Sequence, residues 1–398
     1  MSEQVMPTGN RSASFALKKD SISNFLLYLA VFFLGLGFHI VYLPVLLFFI
    51  AAKPSYLLQP MLKKNFLIAF SLISLFLLPQ YTIGYHQITV DNPVLSMLSV
   101  MFSIVVLGGL LQQLSPSIIK NCIVILIIGI GADALITIVY SLLQNSTYYG
   151  YGRLYNPIIG EEVNSPGAAL KIASLTSICI WYIFQKIGFL QKLMLLTLIS
   201  VLLLLAIWLA SRAFFALIFL SLAFAFILNF KIKNIIRVTF FGVVGLLLFV
   251  ILFQSIDISI FSRLNRLDGN LESARYLLWK DGFTKLLTHP IGGFSVDQTI
   301  DPVRWFHNIF LDSGRLAGWL PVFSLSMFAL YSFYLFLNKR NEYSLFAGFI
   351  FAIVFLLMQQ DVVVEAMVRF LVLTYFCSIL LGISRPLSEK ELKGSKYA

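Results

Sequence analysis

Three side chains in this sequence have types and surroundings that suit chemistry on an anionic substrate. Arg212 stands between two apolar runs that leave almost no loop, Arg275 lies in a helical pattern, and His307 is followed by Asn308. An arginine offers a planar fork that binds phosphate through two hydrogen bonds, and a histidine titrates near neutral pH and serves as a general base. We therefore predict that Arg212, Arg275 and His307 are catalytic. The alternatives are an arginine that snorkels at a membrane surface and residues that only hold a loop together.

A second set of polar residues is predicted to bind substrate. Arg304 and Asn308 stand close to His307, and Arg266 precedes the helical pattern. Arg153 and Asn164 belong to an earlier segment rich in Gly, Asn and Pro, which by itself indicates only turns.

The sequence lacks the patterns that metal and nucleotide chemistry require. It has no Asp-x-Asp pair and no His/Cys cluster for a metal, no glycine-rich phosphate loop and no serine in a nucleophile elbow. Cys122, Cys179 and Cys377 lie inside apolar runs and fit neither a zinc site nor a disulfide framework. We therefore expect no cofactor. The net charge of +11 is assigned to membrane topology and not to a nucleic-acid partner.

The elements that must position these residues are membrane-spanning helices. Of the 398 residues 59% are hydrophobic and only 12% charged, with a mean hydropathy of +0.89, whereas a soluble domain carries roughly 25% charged residues. The strand-like alternation of a membrane barrel is absent, so helices must satisfy the backbone in lipid. With about 20 apolar residues to each crossing, the sequence predicts an all-α membrane protein with about twelve transmembrane helices.

Charge decides how the apolar runs cross the membrane. The first run, 23–52, is interpreted as two short helices with a break near His39 and Pro44, because the basic residues on both sides favour the cytoplasm. Lysines concentrate in the loops that this scheme places inside, whereas most arginines lie outside or at an outer helix end. Arginine placed against the usual bias indicates a function. The remaining runs are 66–84, 93–111, 121–143, 166–184, 193–210, 213–230, 238–256, 319–337, 344–358 and 366–382.

The scheme divides the chain into segments of different function. They are a cytoplasmic arm (1–22), a transmembrane bundle (23–256) with an outer loop at about 144–166, a large periplasmic catalytic loop with short helices (257–318), the last transmembrane helices (319–383) and a cytoplasmic tail (384–398). A loop as long as 257–318 is uncommon unless it has a function. Within it, Ala274–Leu287 is predicted to be a helix that ends at His289-Pro290, followed by a turn at Gly292-Gly293.

The order of several short motifs is informative beyond each motif alone. Ser-Arg-Ala at 211–213 opens one helix, a loop helix carries Arg275 and Trp279, His-Pro-x-Gly-Gly follows at 289–293, and His-Asn-x-x-Leu at 307–311 with Gly314 and Gly318 precedes a late helix. This order resembles the O-antigen ligase and O-antigen polymerase superfamily of bacterial envelopes. The resemblance covers about Arg153–Pro321 by motif and the whole chain by helix number.

The resemblance implies transfer of a glycan from undecaprenyl diphosphate to an acceptor hydroxyl at the periplasmic face of the inner membrane, without metal or nucleotide. Arg212 and Arg275 would hold the diphosphate, with Arg153 as a further contact, and His307 would serve the acceptor. The acceptor is lipid A–core in a ligase and another lipid-linked repeat in a polymerase. Ligases often carry a small residue where this chain has Pro321, so both activities stay open.

A polysaccharide flippase or transporter is the alternative from a different class. Transporters place ionisable residues near the bilayer midplane, often on broken helices and internal repeats. Here the charges cluster outside and only Asp133 lies deep, which favours an enzyme. Because a buried acid in lipid needs a partner, Asp133 is predicted to tie helices together through a hydrogen bond and not to line a cavity.

Overall fold

The computed structural model of the protein describes most of the predicted bundle and part of the large loop. The described residues are 10–52, 63–84, 88, 93–144, 153–158, 160–209, 211–229, 274–297, 305–338, 341–360 and 368–384. The predicted apolar run 238–256, the site residues Arg266 and Arg304, and the tail at 385–398 lie outside them.

Helices dominate the described residues. One antiparallel hairpin, formed by β1 (Arg153–Asn156) and β2 (Glu161–Asn164), precedes the seventh helix. A π-helical turn, Ser103–Leu107, joins the fourth helix to the fifth. The α-helices are α1 (Asn10–Leu36), α2 (His39–Ala52), α3 (Lys64–Thr82), α4 (Pro93–Phe102), α5 (Gly108–Leu111), α6 (Pro116–Leu143), α7 (Ser165–Ile183), α8 (Phe189–Trp208), α9 (Arg212–Leu228), α10 (Ala274–Thr288), α11 (Ile309–Ala317), α12 (Trp319–Asn338), α13 (Glu342–Leu357) and α14 (Val368–Ile383).

These helices follow the apolar runs of the sequence, and the protein is a helical membrane protein. In the part of the chain that the structure describes, α3, α6, α7, α8 and α12 are long and apolar enough to cross a membrane, and shorter apolar helices accompany them. The run 23–52 divides into two helices, as predicted. Gly37 ends α1 with a φ of 84°, a conformation that glycine adopts without strain.

Contacts between helix ends define two ends of the bundle. At one end, Asn65 at the start of α3 donates to the carbonyl of Gly382 at the end of α14 (2.9 Å), and Lys120 in α6 pairs with Glu342 at the start of α13 (2.7 Å). We call this the lysine end, after Lys63, Lys64 and Lys120. It is the end at which the charge pattern predicts the cytoplasm.

The opposite end, which we call the loop end, carries the hairpin and helices α10 and α11. There Arg369 at the start of α14 donates to the carbonyl of Gly35 at the end of α1 (2.6 Å), and the amide of Ile309 in α11 donates to the carbonyl of Met358 after α13 (3.3 Å). Helices α3 and α13 therefore begin at the lysine end, and α14 begins at the loop end.

The hairpin is an element that the all-α prediction did not include. Its strands are only four residues long and pair Arg153 with Asn164 and Asn156 with Glu161. The amide of Tyr155 donates to Oγ of Ser141 in the last turn of α6 (2.9 Å), so the hairpin is fixed to the bundle.

Small residues allow the bundle to close around its core. At the crossing of α1 and α6, a Cβ on Gly35 would lie 2.5 Å from the carbonyl oxygen of Leu126, and one on Gly129 would lie 2.5 Å from that of Phe32. Only glycine permits this approach of the two backbones, as is common where helices associate in lipid. The crossing fixes Gly35 and hence the position of Arg369.

Candidate active site

The predicted histidine lies in the turn that leads into the short helix α11 at the loop end. Asn308 is the N-cap of α11, and its side-chain oxygen accepts hydrogen bonds from the amides of Phe310 (3.0 Å) and Leu311 (3.3 Å). Such a cap satisfies amides that a helix leaves open at its first turn. His307 therefore directly precedes a helix whose start is fixed by its neighbour.

A buried carboxylate holds the backbone on both sides of His307. The amide of Phe306 donates to Oδ1 of Asp312 (2.7 Å), and the amide of Asn308 donates to Oδ2 of the same residue (3.1 Å). Asp312 is 2% exposed, and this burial raises its pKa to about 6, against the opposing effects of these bonds and of Arg315 and His307. His307 itself has a φ of 54°, and its Nδ1 is buried.

The turn and helix α10 are both attached to the end of α13. Nδ2 of Asn308 donates to Oε1 of Gln359 (3.2 Å), and Nη1 of Arg275 donates to Oε1 of Gln360 (3.0 Å). Two consecutive glutamines thus bind the residue after His307 and the predicted phosphate-binding arginine. The structure thus attaches Arg275 and Asn308, the residue after His307, to adjacent positions at the end of α13.

Helix α10 packs on the other side of the same turn. Nε1 of Trp279 donates to the carbonyl of Phe306 (3.0 Å), and the ring of Phe306 is fully buried against Gly282. The small apolar core behind the turn consists of Leu278, Leu286, Phe294, Val296, Phe306, Leu311 and Val322. This core gives α10 and α11 one relative position, so Arg275 is carried on a rigid support.

The glycine turn after α10 locks the end of α11. As predicted, α10 stops at Thr288, immediately before His289-Pro290. The amide of Gly293 donates to the carbonyl of Arg315 (2.8 Å), and that of Trp319 donates to the carbonyl of Pro290 (3.0 Å). Gly318 has a φ of 70°, and a Cβ there would collide with the carbonyl oxygen of Pro290. Gly292 and Gly318 are therefore explained by close backbone contact.

Arg212 is the first residue of α9, and its side chain lies outside the described part of the structure. Helices α7 and α9 run parallel, because Ser177 contacts Ser221 (2.7 Å) and Gln185 contacts Asn229 (3.3 Å), both 44 residues apart. In that register the backbone of Arg212 lies level with the first turn of α7. Arg212 therefore begins α9 at the loop end.

The remaining predicted substrate contacts are at the hairpin. Arg153, on β1, is largely exposed and lies 3.5 Å from Glu162 on β2. Asn164 caps α7, and its side-chain oxygen accepts a hydrogen bond from the amide of Gly167 (2.8 Å). Its oxygen thus has a structural use, whereas the Arg153 guanidinium is open to solvent.

A second charged cluster lies inside the bundle, and Asp133 is at its centre. Oδ2 of Asp133 accepts from Nζ of Lys171 (2.7 Å) and Nη2 of Arg369 (3.0 Å), while Oδ1 accepts from Nδ2 of Asn156 (2.9 Å). The prediction that Asp133 ties helices together is confirmed. Ten residues separate it from the end of α6 at Leu143, which at a rise of 1.5 Å per residue puts it about 15 Å along the helix from that end.

Sequence reasoning missed several residues of both clusters. Lys171 stood inside the apolar run 166–184, where a charge in lipid is itself a signal for a partner. Asp312 followed the recognised motif directly, and a carboxylate four residues after a cap residue can reach back to the turn. Gln359 and Gln360 gave no local signal, because their partners lie 51 and 85 residues away.

No metal site accompanies these residues in the part of the chain that the structure describes, where no three His, Cys, Asp or Glu side chains are grouped closely enough to hold an ion. The groups that could take part in chemistry there are a guanidinium, an imidazole and a buried carboxylate. No protein-family model, curated protein or solved structure matches this chain.

Proposed function

We propose that this chain is a membrane-embedded glycosyltransferase of the O-antigen ligase type, which moves a glycan from undecaprenyl diphosphate to a hydroxyl of lipid A–core. The observation that carries the proposal is the attachment of Arg275 and the His307-Asn308 turn to Gln360 and Gln359. A phosphate-binding side chain and a general base are thereby held on one rigid helix end, at the membrane surface where a lipid-linked donor lies.

The reaction needs the groups that this arrangement supplies. The acceptor oxygen forms a bond to the anomeric carbon, and the bond from that carbon to the diphosphate oxygen breaks with its electron pair on the diphosphate. The acceptor proton passes to His307, which acts as general base and contributes roughly 10²–10⁴-fold. Arg275 and Arg212 stabilise the charge that grows on the leaving diphosphate, as preorganised charges do at a low-dielectric interface.

The topology that supports this proposal is the twelve-helix scheme, with the loop end in the periplasm and the lysine end in the cytoplasm of the inner membrane. In the described residues α3 and α13 begin at the lysine end and α14 begins at the loop end, and Lys63, Lys64 and Lys120 gather at the lysine end. The predicted run 238–256 completes the count. A reporter fusion at Asp281 should then report the periplasm, and one at Lys233 the cytoplasm.

The motif resemblance supports the same reaction. In the described residues, the glycines and the His-Asn pair of the motif order belong to one packed unit of α10 and α11, beside the end of α13. This unit is the part of the chain in which acceptor and diphosphate would meet. The lipid-linked glycan, lipid A–core and the surrounding membrane lipids are the proposed partners.

The test in cells is the lipopolysaccharide of a strain that lacks the gene. A ligase predicts that long chains disappear from lipid A–core while the lipid-linked polymer accumulates. A single repeat attached to core would overturn the ligase assignment in favour of a polymerase. Unchanged lipopolysaccharide would overturn both.

The test in vitro uses the purified chain in vesicles with lipid-linked donor and lipid A–core. We expect transfer in excess chelator without ATP. Movement of the donor across the bilayer without a new glycosidic bond would instead identify a flippase. A requirement for added divalent metal would contradict the proposed chemistry. His289→Ala, at the exposed end of α10, is the matched control for His307→Ala.

A further inference from the structure

We infer that Asp312 is the positioning residue of the active site, whose carboxylate sets the conformation of the turn that presents His307. The inference rests on the proposed function and deepens it, since it names the group through which the catalytic histidine is held. Asp312 does not touch substrate in this account. It acts by accepting the two backbone amides that flank His307.

A single side chain binds the backbone on both sides of His307. The two oxygens of one carboxylate accept the amides of Phe306 (2.7 Å) and Asn308 (3.1 Å), so the peptide units on either side of His307 are tied to one planar group. The carbonyl of Phe306 is held as well, by Nε1 of Trp279 (3.0 Å). With both neighbours fixed, the backbone of His307 has little freedom of its own.

The backbone of His307 is strained. In the described residues His307 is the non-glycine residue with a positive φ, at 54°. Such a conformation is uncommon for a residue with a Cβ and persists only where its surroundings enforce it. Asp312 is the group that enforces it, because its two bonds span this residue. A change at Asp312 should therefore release the turn toward an ordinary conformation and move the imidazole.

The hydrogen bonds of Asp312 differ from those of an ordinary helix cap. The open amides at the start of α11 already have an acceptor, because the side chain of Asn308 binds those of Phe310 and Leu311. The carboxylate of Asp312 instead reaches backward, out of the helix, to the amide of Asn308 and on to Phe306. Its hydrogen bonds serve the turn and not the helix that carries it.

Because Asp312 is buried, its carboxylate needs hydrogen-bond donors and nearby positive charge to stay ionised. Asp312 is 2% exposed and Arg315, one turn later in α11, is 5% exposed. Arg315 favours the ionised carboxylate that the two amides need, and so does His307. An amide side chain at position 312 would keep one acceptor oxygen but would turn an NH₂ group toward the second backbone amide.

The experiment compares Asp312→Asn and Asp312→Glu with the wild-type chain in the vesicle assay. We expect Asp312→Asn to lower kcat by about 10²-fold, the loss typical of a misplacement near 1 Å, with the KM for the lipid-linked donor changed less than about two-fold. Asp312→Glu keeps the charge and should recover part of kcat. Asp281→Asn is the matched control, because Asp281 is another carboxylate at the loop end that accepts a backbone amide, that of Asp297 (3.3 Å), besides Nζ of Lys285.

A second readout does not depend on transferase activity. Hydrogen exchange at the amides of Phe306 and Asn308 should be strongly protected in the wild-type chain and should lose that protection in Asp312→Asn but not in Asp281→Asn. Unchanged protection and unchanged kcat in Asp312→Asn would overturn the inference, as would fast exchange of both amides in the wild-type chain. If the wild-type chain transfers no glycan, the proposed function fails, while the exchange data still decide the role of Asp312.

Discussion

Asp133 and Asp312 are equally buried, but they bind different kinds of partner. Asp133 accepts from three side chains, Lys171, Arg369 and Asn156, which come from α7, α14 and β1. Asp312 accepts from two backbone amides of a single turn. The first aspartate joins distant parts of the bundle, whereas the second fixes the shape of a few residues.

On the proposed function, this difference separates a charge that stabilises the fold from a charge that shapes the active site. Cations from several helices offset the desolvation penalty of the carboxylate that they surround. Loss of that carboxylate therefore destabilises the whole fold. A buried carboxylate that accepts only local amides affects the fold less and the local geometry more. Its energetic cost is tolerated at a functional site, where strain is commonly kept.

The largest expected effect is the loss of stability in Asp133→Ala. Removal of the carboxylate takes away the counter-charge that Lys171 and Arg369 share inside the bundle, and breaking a buried pair typically costs about 3–5 kcal/mol. We expect a lower unfolding midpoint in detergent and reduced yield from membranes. Lys171→Met is the control, because Arg369 still pairs with Asp133 there. Equal stability of Asp133→Ala and the wild-type chain would mean that the cluster does not hold the bundle together.

His307→Ala should lose activity and keep its stability, in contrast to Asp133→Ala. Without the general base, turnover should fall by roughly 10²–10⁴-fold, while donor affinity and the unfolding midpoint stay near those of the wild-type chain. The measurements are turnover, donor binding and thermal stability on the purified variant, with His289→Ala as control. Near-normal turnover in a stable His307→Ala protein would end its assignment as the base.

The sequence was sufficient for the bundle because lipid imposes a simple rule. Each apolar run must become a helix to satisfy its backbone, so runs such as 166–184 match described helices such as α7 within a few residues. The end of α10 and its glycine turn were also predictable. Proline excludes helix continuation, and glycine accepts the positive φ of 91° found at Gly292.

What the sequence could not supply were pairings over long distances. The hairpin strands are too short for a period to emerge, and their contact with the bundle is made by Ser141 at the end of α6. The contact between Arg275 and Gln360 spans 85 residues, and that between Arg369 and Asp133 spans 236. Such contacts follow from how the helices cross, which neither charge nor hydropathy along the chain specifies.

Substitution of the arginines should cost less than loss of the base. Arg275→Ala is expected to remove about 2–4 kcal/mol of transition-state stabilisation, as other preorganised charge stabilisers do. Arg275→Lys should not fully restore the rate, because lysine keeps the charge but loses the planar fork. The measurement is kcat/KM for the donor, with Lys280→Ala on the exposed face of α10 as control.

The same comparison applies to Arg212, where donor affinity should fall together with turnover. Full rescue by lysine at both positions would reduce their role to simple charge.

Asp312 should couple stability and activity to pH in opposite directions. Its pKa is raised to about 6 in the folded chain from 3.8, so the folded state binds the proton more tightly than the unfolded state. The stability from this group is complete below about pH 4, declines as pH rises and is lost above about pH 6, a span of about 3 kcal/mol. The turn needs the ionised form, so activity should rise over the same interval. Asp312→Asn should abolish the trend in stability. A free energy of unfolding that still falls between about pH 4 and pH 6 in this variant would show that another group titrates.

The smallest effect is expected at the hairpin surface, where charge is neither buried nor locally enclosed. Arg153 and Glu162 are 60% and 48% exposed and 3.5 Å apart, and exposed pairs of this kind contribute about 0–1 kcal/mol. Arg153→Ala and Glu162→Gln should therefore leave the unfolding midpoint almost unchanged. If Arg153 also meets the donor, as its place beside the loop end predicts, only Arg153→Ala should raise the donor KM, while kcat stays constant. Equal kinetics for the two variants would assign Arg153 to the hairpin alone. A large loss of stability in either one would instead place the hairpin with Asn156 and Asp133 among the parts that hold the bundle together.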